Sequence, residues 1–487
     1  MEQKSPYTMI KNTKKVLLTF CGGTSSVTGA NFLLHGERIN VLVDCGLEQG
    51  SRFAEAANRE PFPYDPAAIQ YLLITHAHID HIGRIPKLIR DGFNGKIIST
   101  AETKALSELM FPDALSVMRG EAKNGEEPLY DERDISNALS LWETIPYHTP
   151  LILGDEFEVV LKDAGHILGS AMFHITYTDR RRFKDAQINA DGGAEQTRKR
   201  SIVFTGDLGN SPSPLLRDTE AITDATYIVM ESVYGDRNHE GEEMRREKLA
   251  EIINAAIKRG GTLLIPCFSL EKTQVILHEM NDLLLAKKIP SVPVFLDSPL
   301  AIRVTQVYRR MSENWNDEAK RQLAGGDDPF DFPRLTLTPQ ALDSNEIMRT
   351  PNPKIIIAGS GMSAGGRIQG HERAHLSDSR NTILFVGYQA AGSLGRMIQE
   401  GMKQVEINEE RIALRARVET IIGYSSHKDS EHLLKFVERA AEGGTLKKVF
   451  TVMGEPRASL FLAQRIRDYI GVEAVVPEKG DKVEIQL

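Results

Sequence analysis

The residues with the clearest chemical potential lie in one short segment, THAHIDHIG, at Thr75–Gly83. Three histidines and an aspartate occur there within six residues, directly after an apolar run that predicts a buried strand. Zinc prefers imidazole nitrogen and carboxylate oxygen as ligands. A loop that leaves a strand can turn alternate side chains toward one point, so His76 and His78 can face one ion. Asp80 and His81 can then face a second, and the segment predicts a metal centre.

The elements that must position this segment alternate between strands and helices. In the first third of the chain, KVLLTF, NFLLH and INVLVDCG are typical of strands, and ERDISNALSLWETI has helical spacing. Strands mixed with helices indicate a layered α/β architecture. From about Gly241, strand–turn–helix units such as KIIIAGSGMSAGGR predict a second α/β domain with a parallel sheet. After Gly401 the β pattern of the first domain is expected to return.

The composition limits the classes of function. A chain of 487 residues predicts two or three domains, and 41% hydrophobic with 26% charged residues is typical of a globular protein. There is no long uncharged apolar run, so we expect no membrane span. Three scattered cysteines cannot form a disulfide framework, which favours the reducing cytoplasm. The net charge of −8 argues weakly against nonspecific nucleic-acid binding, although a basic channel can exist in an acidic protein. The polar stretch at residues 179–200 is interpreted as an extended hairpin loop, solvated in the favoured interpretation, whose basic clusters could alternatively contact nucleic acid.

HxHxDH followed by glycine resembles the signature of the metallo-β-lactamase superfamily, and the rest of that pattern follows in order. The resemblance implies that Asp44 of VLVDCG supports the histidine loop from behind. It also implies that His166 of AGHILGS is a metal ligand and that Asp207 of FTGDLGN bridges two zinc ions. The expected ligands are therefore the following six: His76, His78, Asp80, His81, His166 and Asp207. Asp80 is further expected to orient a metal-activated hydroxide.

The middle of the chain resembles the β-CASP branch of this superfamily, whose members process and degrade RNA. The segments that carry the resemblance are MESVYGD, IPCFSLEKTQ, FLDSP, IIIAGSGMSAGGR, FVGYQAAGSLG and GYSSHKD. This branch includes the nuclease subunit of the cleavage and polyadenylation specificity factor and short bacterial and archaeal ribonucleases. The implied fold is α/β, an αββα metallo-β-lactamase sandwich with an inserted α/β β-CASP cap. The predicted domains are residues 1–235 and 411–487 for the sandwich and 236–410 for the cap.

The same resemblance implies a proton donor for the leaving oxygen. His427 of GYSSHKD takes the position of the family's general acid, and Glu231 of MESVYGD takes that of the carboxylate that orients it. The chemistry is sensible, because imidazole titrates near neutral pH and a departing ribose oxygen needs a proton. A carboxylate partner also raises the pKa of the imidazole.

Four residues of the middle region are expected to contact an RNA backbone. The glycine-rich turns can present backbone N–H groups to phosphate at a helix start, which favours Gly361 and Arg367, and Ser298 of LDSP can act likewise. Lys272 stands where the family often has arginine, which replaces a bidentate phosphate clamp with a point charge.

One position departs from the family pattern. The family usually reads V-H-G-E near its C-terminus, and that histidine binds the second zinc, whereas this chain reads VMGEP with Met453. A neutral thioether is a poor zinc ligand. We therefore expect one firmly bound zinc and a second that is weak or absent. A substitute ligand is the other possibility, and the unassigned histidines are His371, His375 and His432.

The predicted function is a zinc-dependent ribonuclease, endonucleolytic or 5′-exonucleolytic, that hydrolyses phosphodiester bonds of single-stranded RNA. The alternative is a catalytically impaired RNA-binding partner of an RNA-decay complex, because of Met453. A small-ester hydrolase is disfavoured because such enzymes lack the inserted domain, and a DNA substrate stays open. We expect no membrane partner and a cytoplasmic location. The resemblance also allows a homodimer, although no segment of the sequence demonstrates one.

Overall fold

The first sheet contains the strand that leads into the histidine loop. The structure is a computed structural model and describes residues 15–50, 54–121, 127–178, 200–387, 389 and 392–487. This sheet has seven strands in the order β22-β1-β2-β3-β4-β5-β6. Their bounds are β1 (Lys15–Gly22), β2 (Asn31–His35), β3 (Asn40–Val43), β4 (Tyr71–Leu73), β5 (Lys96–Ser99), β6 (Trp142–Thr144) and β22 (Lys482–Gln486). The predicted hairpin loop at residues 179–200 lies, except for Arg200, outside the described residues.

The second sheet faces the first across an apolar core. It has the order β21-β20-β11-β10-β9-β8-β7. Phe20 and Phe32 of the first sheet contact Phe450 and Phe204 of the second, with ring centroids 5.3 and 6.2 Å apart. Burying such side chains is the main stabilising contribution of the core. The strand bounds are β7 (Leu151–Leu153), β8 (Phe157–Asp163), β9 (Ala171–Tyr177), β10 (Ser201–Phe204), β11 (Tyr227–Glu231), β20 (Lys448–Val452) and β21 (Glu473–Val475).

Helices cover the outer faces of both sheets. The first sheet is covered by residues of the N-terminal helices, among them Leu106 and Phe111, and the second by residues such as Leu433 and Leu462. The N-terminal helices are Ala54–Arg59, Ile79–Ile82, Ile85–Arg90, Ala101–Glu121 and Glu132–Ser140, and the C-terminal ones are Ser430–Glu442, Pro456–Arg465 and the π-helical turn Ile466–Ile470. The predicted αββα sandwich is thereby confirmed.

One predicted helix is shorter than its pattern indicates. Helical spacing runs through ERDISNALSLWETI, but the helix ends at Ser140 and Trp142–Thr144 forms β6. The indole N–H of Trp142 donates to Ser99 Oγ at 2.8 Å, and β6 pairs with β5. Tertiary pairing therefore overrides the local periodicity.

The inserted region forms a third sheet of six strands in the order β14-β13-β15-β12-β16-β19, and all of its pairings are parallel. The strands are β12 (Thr262–Pro266), β13 (Val294–Asp297), β14 (Leu335–Leu337), β15 (Lys354–Ala358), β16 (Thr382–Phe385) and β19 (Arg417–Thr420). Its helices are Glu242–Lys258, Lys272–Leu285, Pro299–Arg310, Asp317–Ala324, Asp343–Arg349, Arg367–His375 and Leu394–Gln399. Short 3-10 turns lie at Pro66–Ala68, Ser312–Asn314 and Ile422–Tyr424. This sheet matches the predicted parallel α/β cap, and none of the described helices is long and apolar enough to cross a membrane.

The segment after Gly401 does not return to the sandwich at once, and that expectation is wrong. β17 (Gln404–Ile407) and β18 (Glu410–Ala413) form a hairpin, and β19 then pairs with β16 of the third sheet. The β pattern alone could not distinguish these partners, because strand propensity carries no information about which sheet receives a strand. The domain limits at residues 1–235, 236–410 and 411–487 stay predictions, and β19 lies beyond the second of them.

Candidate metal centre

Asp44 holds the histidine loop in place where it leaves the first sheet. Its carboxylate accepts hydrogen bonds from the backbone N–H and the hydroxyl of Thr75, both at 2.8 Å. The loop then turns into the short helix Ile79–Ile82, for which His78 is the N-cap residue. Asp44 is buried with 1% exposure, so these bonds are shielded from water. The structure places Asp44 where it supports the loop, as its predicted role requires.

Four side chains converge into a first group of ligand atoms: His76, His78, His166 and Asp207. Nδ1 of His78 lies 3.1 Å from His76 Nε2 and 3.2 Å from His166 Nε2. Asp207 Oδ2 lies 3.4 and 3.5 Å from the same two nitrogens of His76 and His166. Three nitrogens and one oxygen around one point are the ligand set of a tetrahedral zinc site.

The three histidines of this group are suited to bind a cation because they are neutral. Burial lowers the pKa of His76, and together with neighbouring imidazoles it holds the pKa of His78 and His166 well below their usual range. Metal binding requires an unprotonated ring nitrogen. Thr75 Oγ1, which donates to Asp44, accepts from His76 Nδ1 at 3.1 Å and leaves Nε2 free for a metal.

Asp80, His81 and the second oxygen of Asp207 form a second group. Because the Asp44 carboxylate only accepts, His81 Nδ1 donates to it at 2.7 Å, and His81 Nε2 faces Asp207 Oδ1 at 3.3 Å. His81 Nε2 and Asp207 Oδ1 are both buried, and neither has a hydrogen-bond partner within the described ranges. Two acceptors this close repel each other unless a proton or a cation lies with them, so the donor set fits a metal ion. Burial alone would lower the pKa of His81, but the carboxylates of Asp207 and Asp44 raise it well above its usual value.

His166 is oriented by a contact that no sequence pattern could reveal. Its Nδ1 donates to the backbone carbonyl of Ser426 at 3.1 Å, which directs Nε2 toward the first group. Ser426 lies in the segment that also carries His427, 260 residues further along the chain. A backbone carbonyl has no side-chain signature, so only the fold shows that it orients this ligand.

Glu231 and His427 form a pair beside the metal ligands. His427 Nδ1 lies 3.1 Å from Glu231 Oε1, and that oxygen also accepts the backbone N–H of Leu208 at 2.7 Å. Burial would lower the pKa of His427, but the carboxylates of Glu231 and Asp207 raise it. A protonated imidazole held in one orientation is suited to donate a proton.

Met453 lies next to the second group but offers it no strong ligand. It follows β20, is 2% exposed and packs in the core between the two sheets. Its backbone N–H donates to Gly23 O at 2.7 Å, and its side chain lines a small cavity with Asp44 and His81. In the described part of the chain, the second group therefore has three protein ligands rather than four.

None of the three spare histidines replaces the missing ligand. His371 Nε2 bonds to Asp297 at 2.7 Å, His375 Nδ1 to the His371 carbonyl at 2.9 Å, and His432 Nδ1 to Asp429 at 2.7 Å. All three lie outside the groups of potential metal ligands among the described residues. These three histidines therefore do not supply the missing ligand, because each ring is engaged elsewhere in the fold.

Lys272 lines a small, partly open cleft between the sandwich and the inserted domain. The same cleft is lined by His166, Asn210, Glu271 and Ser426. Burial lowers the pKa of Lys272 to about 8, so the ammonium stays mostly charged at neutral pH. Of the four residues predicted to contact RNA, Lys272 is the one that the structure brings to this cleft.

The other three lie among structural contacts of the inserted domain. Arg367 donates to Asp297 at 2.7 Å and to the carbonyl of Thr338 at 2.7 Å, which occupies its guanidinium. Ser298 Oγ accepts from Ala301 N at 3.2 Å and so caps a helix. A Cβ added at Gly361 would lie 2.4 Å from the Phe268 ring, so this glycine is needed for close packing. These three residues do not line the cleft, and their contacts with RNA stay predictions.

The sandwich and its edge site of histidines and aspartates define the class of metal-dependent hydrolases with a metallo-β-lactamase fold. Three family models match the chain in order. The metallo-beta-lactamase superfamily model matches residues 27–168 and the Beta-Casp domain model matches 273–398. The model of the Zn-dependent metallo-hydrolase RNA specificity domain matches residues 411–477.

Relatives with known names span most of the chain. A ribonuclease of Thermus thermophilus is 36% identical, over 86% of this chain and 89% of its own length. The transcription termination factor FttA of Pyrococcus abyssi is 30% identical, over 97% of this chain and 72% of its own. A solved structure from Enterococcus faecalis, described as a protein of unknown function, has a TM-score of 0.53 at 12% identity and shares the fold. It covers 97% of this chain and 100% of its own.

The chain belongs to the metallo-β-lactamase superfamily, in the branch that carries a β-CASP domain. The resemblance inferred from the motifs is confirmed, and the protein is a metal-dependent hydrolase.

Proposed function

We propose that the protein is a zinc-dependent ribonuclease that hydrolyses phosphodiester bonds of single-stranded RNA. The observation that carries this proposal is the first ligand group, in which three neutral imidazoles and one carboxylate converge beside the cleft. The Glu231–His427 pair stands next to it, with His427 Nδ1 at 3.8 Å from Asp207 Oδ2. A metal site and a proton donor on opposite sides of one reacting group are what phosphodiester hydrolysis requires.

Zinc is the ion that the donor set favours, because nitrogen and carboxylate ligands at tetrahedral number suit it. When bound, zinc supplies a water of lowered pKa and positive charge for a phosphoryl oxygen. We propose one firm site, at the first group, and a weaker one at the second, where Met453 leaves three ligands. Asp80, with its pKa raised by burial, contributes a carboxylate to the second site.

The chain's own residues would handle the substrate in two ways. Lys272 places a cation in the cleft that His166 also lines, where it can pair with a phosphate of the RNA backbone. His427, whose pKa the carboxylate of Glu231 raises, can give a proton to the departing ribose oxygen. Asp80, Glu231 and His427 are therefore the proposed catalytic residues.

RNA as the substrate is supported by the relatives. The Thermus protein is named a ribonuclease, and the model matching residues 411–477 is described as an RNA specificity domain. The competing proposal is an RNA-binding partner without catalysis, which rests on Met453 alone. We also propose a cytoplasmic location, supported by three free, buried cysteines, and a homodimer, which sedimentation velocity would test.

Cleavage of a 5′-labelled single-stranded RNA tests the proposal, with duplex RNA and single-stranded DNA as alternative substrates. We expect the zinc-loaded protein to cleave the single-stranded RNA and His78→Ala to bind it without cleaving. His148→Ala is the control, because His148 is 63% exposed and belongs to none of the groups of potential metal ligands that the described residues form. If the unaltered protein binds RNA without cleaving it, and His78→Ala binds RNA equally well, the RNA-binding partner would be favoured instead.

A further inference from the structure

A chain of hydrogen bonds joins the inserted domain to the loop that carries His166. The backbone N–H of Leu168 donates to Tyr308 Oη at 3.2 Å. The Tyr308 hydroxyl in turn donates to Glu271 Oε2. Tyr308 lies on the helix Pro299–Arg310, and Glu271 is the residue before the helix Lys272–Leu285. These two hydrogen bonds therefore connect two helices of the inserted domain with a loop of the sandwich.

The three residues that form these hydrogen bonds are all buried. Leu168 is 1% exposed, Tyr308 0% and Glu271 3%. A buried donor or acceptor that loses its partner costs about 1–3 kcal/mol, so these bonds hold the groups firmly together. Burial raises the pKa of Glu271 to about 8, because the buried carboxyl has a hydrogen bond from Tyr308 but no ion pair with another described residue to stabilise its charged form.

The backbone at Glu271 is also unusual. Its φ of 66° lies in the left-handed region, which residues other than glycine seldom occupy. Such a conformation persists only where the surrounding structure fixes it, and it occurs frequently at functional sites. The turn points the Glu271 carboxyl at Tyr308, while the next residue, Lys272, joins Glu271 in the lining of the cleft.

The rest of the His166 loop is anchored within the sandwich. Ser170 Oγ accepts the backbone N–H of His166 at 2.9 Å. Thr100 and Thr103 donate to the Gly169 carbonyl at 2.7 and 2.9 Å. The Leu168 amide differs, because its partner is 140 residues away in the inserted domain. The loop is therefore held from two sides, one of which belongs to the other domain.

We propose that Tyr308 and Glu271 are positioning residues, which fix the His166 loop so that His166 Nε2 completes the first ligand group. Correct docking of the inserted domain thereby becomes a condition for tight metal binding by the sandwich. This inference rests on the metal-binding part of the proposed function but not on RNA as the substrate.

The test compares Tyr308→Phe with the unaltered protein by two readouts that need no RNA. Zinc affinity is measured by competition with a chromophoric chelator, and amide hydrogen exchange of residues 165–169 is followed in metal-free protein. We expect about tenfold weaker zinc binding, at the lower end of what loss of a supporting contact produces, and faster exchange in the loop. Tyr130→Phe is the matched control, because Tyr130 is equally buried and its hydroxyl has no hydrogen-bond partner among the described residues.

A second pair of variants separates positioning from general loss of stability. Glu271→Gln keeps an acceptor for the Tyr308 hydroxyl and should bind zinc nearly as tightly as the unaltered protein. Glu271→Leu removes the acceptor and should behave like Tyr308→Phe. Unaltered zinc affinity and loop exchange in both Tyr308→Phe and Glu271→Leu would overturn the proposal. An unaltered protein that binds zinc but leaves RNA intact would refute the proposed ribonuclease and not this inference.

Discussion

At the scale of single residues, the character of the centre is set by the groups that orient its imidazoles. Asp44 fixes the proton of His81 on Nδ1, and the Ser426 carbonyl does the same for His166. Each contact engages Nδ1 and directs Nε2 at a ligand group. Partners of this kind govern metal affinity although they never touch the ion.

Replacement of Asp44 by asparagine should weaken the second site. The carboxamide has one oxygen for the three hydrogen bonds that Asp44 now accepts, two from Thr75 and one from His81. Its NH₂ group would donate to His81 Nδ1 and move the ring proton to Nε2, which faces the ion. We expect about 10–100-fold weaker binding of the second zinc, measured by calorimetric titration.

A matched control for this change is Glu156→Gln. Glu156 is also fully buried, and it accepts the backbone N–H groups of Arg38 and Ile39 at 3.0 and 3.3 Å, remote from the ligand groups. It should lower the free energy of unfolding and leave zinc binding unchanged. Equal zinc affinity in Asp44→Asn and Glu156→Gln would show that Asp44 does not orient His81.

At the scale of elements, the segment after β3 approaches the helix that carries Asp80 and His81 so closely that a glycine is required. Gly46 follows Asp44, and a Cβ built there would lie 1.5 Å from the Asp80 carbonyl oxygen. The neighbouring Leu47 N–H donates to the Ile79 carbonyl at 3.0 Å. The segment after β3 therefore packs directly against the backbone of the short helix that carries Asp80 and His81.

Gly46→Ala should displace this short helix. We expect a loss of a few kcal/mol in the free energy of unfolding, typical of overpacking at a buried backbone contact, where about 1–3 kcal/mol is common. The second zinc should also bind more weakly, because Asp80 and His81 would shift. Urea denaturation and zinc titration measure the two effects.

The same substitution elsewhere should do the opposite. Gly370 lies inside the helix Arg367–His375, and a Cβ there would meet nothing within 4 Å. Gly370→Ala should stabilise the protein by about 0.5–1 kcal/mol, since alanine is the better helix former. If Gly46→Ala were as harmless as Gly370→Ala, the close approach of the two segments would be refuted.

What the sequence could predict follows from how local each signal is. His76, His78, Asp80 and His81 share one loop, so their spacing alone indicated a metal centre. The parallel sheet of the inserted domain was also visible, because its strands are continuous apolar runs. The structural role of Arg367 could not be predicted, because its partner Asp297 lies 70 residues away in the sequence. From the sequence alone, Arg367 looks like an unpaired cation that is free to bind phosphate. The prediction that the chain returns to the sandwich after Gly401 was wrong for a similar reason, because the sequence of β19 does not show that its partner is β16.

At the scale of the whole molecule, the insertion leaves the sandwich continuous. β11 before the inserted domain pairs in parallel with β20 after it, and Glu231 lies opposite Val452. This pairing brings Met453 beside the second ligand group. Lys428, next to His427, ties the C-terminal segment to the one after Asp207, since its ammonium donates to the Gly209 carbonyl at 2.6 Å. One centre is therefore assembled from segments that are hundreds of residues apart.

The distribution of charge fits a substrate that enters a cleft. The chain carries a net charge of −8, whereas Lys272 offers a cation beside the ligand groups. A negative net charge disfavours nonspecific binding of nucleic acid, so under the proposed function phosphate recognition would depend on local cations such as Lys272.

The central claim is that the first ligand group supports hydrolysis although Met453 replaces a histidine. Its most direct test is the rate of cleavage of labelled single-stranded RNA as a function of zinc bound per chain, for the unaltered protein and Met453→His. We predict that the unaltered protein cleaves RNA with one firmly bound zinc, and that Met453→His binds the second zinc more tightly. No cleavage by the unaltered protein at any zinc occupancy, with cleavage appearing in Met453→His, would contradict the claim and identify a chain that has lost catalysis.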